Sequence, residues 1–389
     1  MQFSRRLPPL SPNRLAQALA RLRAEGRPII DLTESNPTRA GFEYPEDLLA
    51  PLSDPRGLRY DPQPFGLPDA RRSVAADYER HGLDVRADRV VLTASTSDAY
   101  SLLFKVLTAA GDEVLVPRPS YPLFEHLTRL DLVSARPYDL DYHGAWTVDF
   151  DSLERALTPR SRAVLVVSPN NPTGSFVSRD DLDRLARACA PRGVALIVDE
   201  VFADYELEAG SRAAAGRAID RADVLAFTLG GLSKSIGLPQ VKLGWMVVSG
   251  PETAVAAALE RLELVCDTYL AVATPVQVAA PRLLTDGASI RRQIAARVAK
   301  NWQRLHMGAA DVPACRVLGS DAGWYAVMQV PSLEPEEDLV LGLLTASGVL
   351  VHPGYFFDFA RESFLIVSLL PPGGAFGEGV GRVLRHFAC

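Results

Sequence analysis

A chain of 389 residues, 48% apolar and 23% charged, is long enough for two or three domains and apolar enough to bury a large core. A formal net charge of −6, with no basic tract interleaved with aromatics, argues against a general nucleic-acid binder. The opening Met-Gln-Phe-Ser-Arg-Arg runs into prolines, and no uncharged apolar run approaches bilayer length, so neither a secretory leader nor a membrane span is expected and the cytoplasm is the expected location. Cys189, Cys266, Cys315 and Cys389 and the six histidines show no metal-ligand spacing, which predicts reduced structural thiols and no metal site.

Residues 13–26 carry Leu15, Leu19 and Leu22 at helical spacing, with Ser11 or Asn13 as cap and Gly26 as stop, and predict an amphipathic opening helix. Two loops dense in polar residues and proline follow, 33–38 and 60–68, and the second leads into a helical segment over 69–81. From Arg89 onward short apolar runs alternate with helical stretches: 90–93, 113–116, 132–136, 163–168, 194–199, 224–228 and 243–248. That alternation predicts an α/β fold whose large domain holds a mainly parallel seven-stranded sheet between helices. Beyond Pro281 it weakens. A long arginine-rich helix over 289–307 and segments at 324–330, 339–346, 364–370 and 377–387 predict a smaller α/β domain, with the boundary near Thr285.

In such sheets ligands collect at the carboxyl ends of the strands, so the residues after each run are the ones to read for chemistry. The first run leads into Ser95-Thr96-Ser97, a hydroxyl-rich turn at a helix start, where free N–H groups and the helix dipole favour a phosphate. The second leads to Tyr121, the fourth to Asn170-Asn171-Pro172-Thr173-Gly174, and the fifth ends in Asp199-Glu200. The sixth leads into residues 228–245, which hold Lys234 and Lys242, two of only four lysines in a chain whose basic residues are otherwise arginine. An amine condenses with a carbonyl and a guanidinium does not, so the segment points to an aldehyde cofactor held as a Schiff base. Pyridoxal 5'-phosphate needs an amine, an acid beneath its ring nitrogen, a stacking face and an anion cradle. Lys234, Asp199, Tyr121 and the turn at Ser95, Thr96 and Ser97 supply these four.

With Asn171-Pro172-Thr173-Gly174, Asp199-Glu200 and Ser233-Lys234 in place, the chain resembles a fold type I pyridoxal-phosphate enzyme of the class I/II aminotransferase family over nearly its whole length. The resemblance implies that Asn171 hydrogen-bonds the ring hydroxyl and Tyr121 stacks on the ring. It implies a homodimer in which Tyr60 reaches the cofactor phosphate of the other subunit, and a substrate side formed by Asn36 and the loop 349–357. It implies three parts: 1–45, belonging to the small domain and the dimer arm; 46–285, the large cofactor-binding domain; and 286–389, the rest of the small domain. The activity implied is amino transfer from a small-molecule amino donor to a carbonyl acceptor, with a pyridoxal-phosphate lyase or, further off, a cofactor-binding regulator as alternatives. Neither a nucleic acid nor a membrane is an expected partner.

Four positions depart from the family pattern. Lys242 stands where the family has an arginine toward the phosphate, and an ammonium lacks the bidentate fork. Gly231 replaces a serine. Phe202 replaces a tyrosine that donates to the ring oxygen, which predicts that the Schiff-base proton is held more tightly unless Tyr205 compensates. Ile366 occupies the place of the arginine that grips the substrate carboxylate, leaving Arg361 as the expected substitute or a substrate without that carboxylate.

Overall fold

The computed structural model describes residues 3–8, 12–361 and 363–388. Asn13 opens the first helix, Arg14–Ala24, by accepting from the Ala16 N–H at 2.7 Å, and Leu15 and Leu22 turn into the core. Ser11, the other expected cap, and Cys389 lie outside the described residues; Cys189, Cys266 and Cys315 are buried free thiols.

The large sheet runs, in spatial order, Val90–Thr93, Gly244–Ser249, Ala226–Gly231, Ala195–Asp199, Ser161–Val167, Glu113–Arg118, Ser134–Tyr142 and Trp146–Val148. Pairing is parallel from Ser134–Tyr142 through to Ala226–Gly231, whereas Gly244–Ser249 is antiparallel to both its neighbours. Strands 195–199, 226–231 and 244–249 are buried at every position, because helices cover both faces and each side chain of the run meets a core. Helices Thr96–Leu107 and Glu252–Tyr269 close one face, and Phe150–Ala156 and Arg179–Cys189 close the other.

Among the described residues the sheet has eight strands rather than the expected seven. The strand expected over 132–136 begins at Ser134 and extends to Tyr142, and Trp146–Val148 pairs antiparallel with its outer end. That rim is only half covered. Its outer half therefore alternates Asp139 and Asp141 with Leu140 and Tyr142, and its partner is three residues beyond a turn at Gly144, so neither forms an apolar run.

The strand order reverses between Glu113–Arg118 and Ser161–Val167, which opens a crevice at the carboxyl edge. Above it lies a four-stranded antiparallel sheet in the order Arg316–Val317, Tyr325–Gln329, Phe364–Ser368, His352–Pro353. Both chain ends build this part: Ile30–Asp31 pairs in parallel with Val349–Leu350, and the Ser368 N–H donates to Leu32 O at 2.6 Å. The chain passes from helix Thr274–Asp286, packed on Pro68–Glu79, through Gly287 to helix Ala288–Ala310, packed on Gly373–Phe387. The buried carboxylate of Glu336 accepts from the N–H groups of Tyr355, Ser363 and Phe364 at 2.9, 3.1 and 2.8 Å, which fixes the loop after His352.

The turn after Ser161–Val167 is clamped from the other sheet: the carbonyl of Gly174 accepts from Asp321 and Ala322 at 3.0 and 2.9 Å. Gly174 has φ +70°, and a Cβ there would collide with Ser320 Oγ and the Ala322 carbonyl. Gly111 has φ +85° with open space around it. Strain alone at Gly111→Ala should cost about 1 kcal/mol, whereas strain plus overpacking at Gly174→Ala should cost about 2–4 kcal/mol. Thermal melts of the two variants check this, and equal losses would contradict the clamp.

Candidate active site

Five strand ends and one strand start converge on a cavity of about 570 Å³. Because Gly244–Ser249 runs against its neighbours, its beginning lies where they finish, and Lys242 joins the same cavity. Ser95, Thr96, Ser97, Tyr121, Asn171, Asp199, Lys234 and Lys242 all line it, so the structure brings together eight residues singled out from sequence.

Asp199 closes the central strand as a buried carboxylate. Its Oδ2 accepts from the Tyr100 hydroxyl at 2.8 Å and its Oδ1 from the Val201 N–H at 3.0 Å. Burial pushes its pKa up, opposed by those two donors and by the charge of Lys234. Tyr100 is a site residue that motif reading passes over. Its signal is helical phase: it lies on the face of Thr96–Leu107 that also buries Leu103 and Phe104, one turn beyond the hydroxyl-rich start.

Lys234 sits in the short helix Leu232–Ser235, its Nζ 5.0 Å from the centre of the Trp324 ring and 5.6 Å from that of Phe202. Burial pushes its pKa down to about 8, with Asp199 pulling the other way. About half the amine is then neutral at pH 8, against a small fraction for an ordinary lysine, and the neutral amine is the nucleophile. Its backbone is tied from behind: the Tyr205 hydroxyl donates to the carbonyls of Lys234 and Ser235, and Arg291 Nε donates to Ser235 O at 2.9 Å. Arg291 is held in turn by Asp204, which also pairs with Arg80 and His81. Despite burial, these partners keep the Asp204 pKa below the usual carboxylate range. Tyr205 is therefore spent on the lysine's main chain. It is Phe202, and not Tyr205, that lines the cavity.

At the other end, Ser95 caps its helix by accepting from the Asp98 N–H at 3.1 Å. The N–H groups and hydroxyls of Thr96 and Ser97 have no partner among the described residues, which leaves a free anion cradle. Gly244 lets this turn approach the sheet, since a Cβ there would lie 2.9 Å from Ser95 C and 3.0 Å from Thr93 Oγ1. Lys242 is exposed to the cavity, in the left-handed region at φ 60°. Asn171 is buried and its Oδ1 has no hydrogen-bond partner. Tyr121 lies edge-on to Phe124 at 6.4 Å, and Phe124 edge-on to Tyr100 at 5.4 Å.

Asn36 and Arg361 do not line the cavity, and Tyr60, expected at the other subunit's site, lies outside it as well. Asn36 turns its Oδ1 to the Thr38 N–H and hydroxyl at 3.1 and 2.8 Å, capping its own turn, and its neighbour Ser35 lines the cavity instead. Arg361 is exposed on the loop before Phe364–Ser368 and does not line the cavity, because that loop is pinned from inside by Glu336. Tyr60 is 73% exposed and lines a separate cleft with Cys266 and Tyr269. Ile366 is buried in the small sheet. Tyr325 and His352 line the cavity from that sheet without a motif to announce them.

Known proteins decide between the readings. Residues 28–372 match the family described as aminotransferase class I and II. The chain belongs to the class I and II aminotransferases. It is a pyridoxal-phosphate-dependent aminotransferase, similar to the alanine aminotransferase of Mycobacterium bovis (30% identity over 91% of this chain and 84% of the relative). It is also similar to the glutamate-pyruvate aminotransferase AlaA of Escherichia coli K12 (27% identity, 90% of this chain and 88% of the relative). The fold matches an alanine aminotransferase from Pyrococcus furiosus with a TM-score of 0.87 at 24% identity, covering 96% of this chain and 95% of that one.

Burying the Lys234 ammonium costs stability in the cofactor-free aminotransferase. Its folded pKa of about 8 lies below the ordinary 10.5, so the penalty is fully present below pH 8 and fades as pH rises to 10.5. Cofactor-free Lys234→Met should accordingly melt above the cofactor-free parent at pH 7, with the gap closing as the pH approaches 10.5. A gap that widens with pH would contradict the assignment.

Proposed function

We propose that Lys234 anchors pyridoxal 5'-phosphate and that Asp199 holds its ring nitrogen, and that the enzyme moves an amino group from an amino acid or other amine to a carbonyl acceptor through this pair. The observation that carries the reading is the juxtaposition in one cavity of a lysine pushed toward neutrality and a buried carboxylate, with an unpartnered Asn171 amide and an uncommitted helix start between and beside them. When bound, the cofactor supplies an aldehyde for the amine and an electron sink in its ring.

The chain does the rest. Tyr100 and Val201 fix Asp199 in the orientation that keeps a proton on a ring nitrogen. Asn171 would offer its amide to the ring hydroxyl, Tyr121 would stack against the ring, and Thr96, Ser97 and Lys242 would hold the phosphate, all from positions lining this cavity. Lys242 does so as a point charge rather than a fork, so angular precision falls to the backbone N–H groups. Lys234 Nζ, as a free amine, would move the proton at the substrate carbon. The exposure of Tyr60 on a proline-rich loop supports a homodimer in which this residue serves the other subunit's phosphate. Among the described residues no helix is long and apolar enough to cross a membrane, and a cytoplasmic location accords with that. Relatives named as alanine and glutamate-pyruvate aminotransferases favour amino transfer over the lyase and regulator readings.

Adding an amino donor to the loaded enzyme should bleach its visible absorption band and a keto acid should restore it; keto-acid release without restoration would mark a lyase. The Phe202 ring leaves the cofactor oxygen without a phenol donor, so Phe202→Tyr should lower the pKa read from that band by about one unit. A spectrophotometric pH titration showing no shift, or a rise, would contradict the role given to position 202.

A further inference from the structure

Resting on the transaminase reading of this cavity, we infer that the donor amine is selected by an apolar, aromatic wall and not by an ionised α-carboxylate, so that hydrophobic amines without that carboxylate are accepted as donors. The pairing of the small sheet fixes which side chains look toward Lys234. Tyr325 lies opposite Ser368, while Ile366 lies opposite both Val327 and His352. Directly paired residues share a face, and so do residues two apart on one strand, which puts these five side chains on one side of the sheet. Tyr325 and His352 line the cavity, so this is the side turned to it.

That side offers a carboxylate no fixed positive charge. Position 366, where the family resemblance sets a guanidinium, is a fully buried isoleucine between Val327 and His352. The Ser368 hydroxyl donates to Glu34 O at 2.6 Å and is committed. His352 packs against the rings of Phe356 and Phe357 at 6.0 and 5.7 Å, and burial pushes its pKa down to about 4, so at neutral pH it is an uncharged imidazole. Among the described residues the lysines and arginines lining the cavity are Lys234 and Lys242. One is the anchor, and the other stands beside the Gly244–Ser95 contact at the phosphate end. An arginine fork gives a carboxylate two charge-assisted bonds, a discrimination of about a hundredfold or more. An apolar wall rewards buried area and gives a carboxylate nothing in return for its lost hydration.

The test uses the loaded enzyme and matched compounds. Half-reaction kcat/KM values for L-phenylalanine and 2-phenylethylamine should agree within about tenfold, with L-glutamate slower than both, since no bidentate pair separates them. Calorimetric Kd values for 3-phenylpropanoate and 3-phenylpropan-1-ol, which involve no turnover, should show no preference for the carboxylate beyond about threefold, since an unpaired carboxylate loses hydration against an apolar wall. A preference of about a hundredfold or more for phenylalanine, for glutamate or for the carboxylate over the alcohol would overturn the inference and leave amino transfer standing. Loaded enzyme bleached by none of the donors would overturn both.

Discussion

A carboxylate buried at the end of the central strand is the constraint from which the rest of the site follows. Asp199 has one donor on each oxygen, from Tyr100 and Val201, and burial still drives its pKa upward. Lys234, across the same cavity, is driven downward by the same desolvation. Left to themselves, both groups are pushed toward neutrality, and their mutual charge only partly offsets that. A ring carrying a proton at one end and an aldehyde at the other relieves both at once. The site is thus arranged around two groups whose discomfort is complementary, and Asn171 Oδ1 and the helix start at Thr96 are further polar groups without partners among the described residues.

The framework keeps the lysine where that bargain can be struck. Leu232–Ser235 is a single helical turn, too short to hold itself. Its carbonyls are gripped by Tyr205 and Arg291, and Arg291 is oriented by Asp204 within a cluster that includes Arg80 and His81. A buried cluster of this kind contributes little net stability, but breaking one partner strands the others, which makes it a stiff mount. Within the mount the Tyr205 hydroxyl is committed to main-chain carbonyls.

How much of this could be read from the residues depended on how local the signal was. Lys234, Asp199, Asn171 and the Ser95 turn follow strand ends, and a parallel sheet delivers strand ends to one edge, so apolar runs plus the residues after them located the cavity. Tyr100 escaped because its role depends on which face of a helix meets the sheet. Trp146–Val148 escaped because a three-residue rim strand has no apolar run. Arg361 and Asn36 lie close in sequence to the right place, but their directions are set by tertiary contacts, the Glu336 clamp in one case and the Thr38 turn in the other. Tyr325 and His352 reach the cavity through strand register, which composition does not carry.

Relatives named for alanine and for glutamate and pyruvate belong with this chain in sequence, while the small-sheet side of the present cavity is lined by Tyr325, His352, Phe356 and Phe357. Everything proposed about amino transfer depends on the amine at position 234. Borohydride trapping of the loaded enzyme followed by peptide mass mapping tests it most directly. The account predicts a pyridoxyl group on the peptide containing Lys234; a label on Lys105, Lys242 or Lys300, or no label in cofactor-saturated protein, would contradict it.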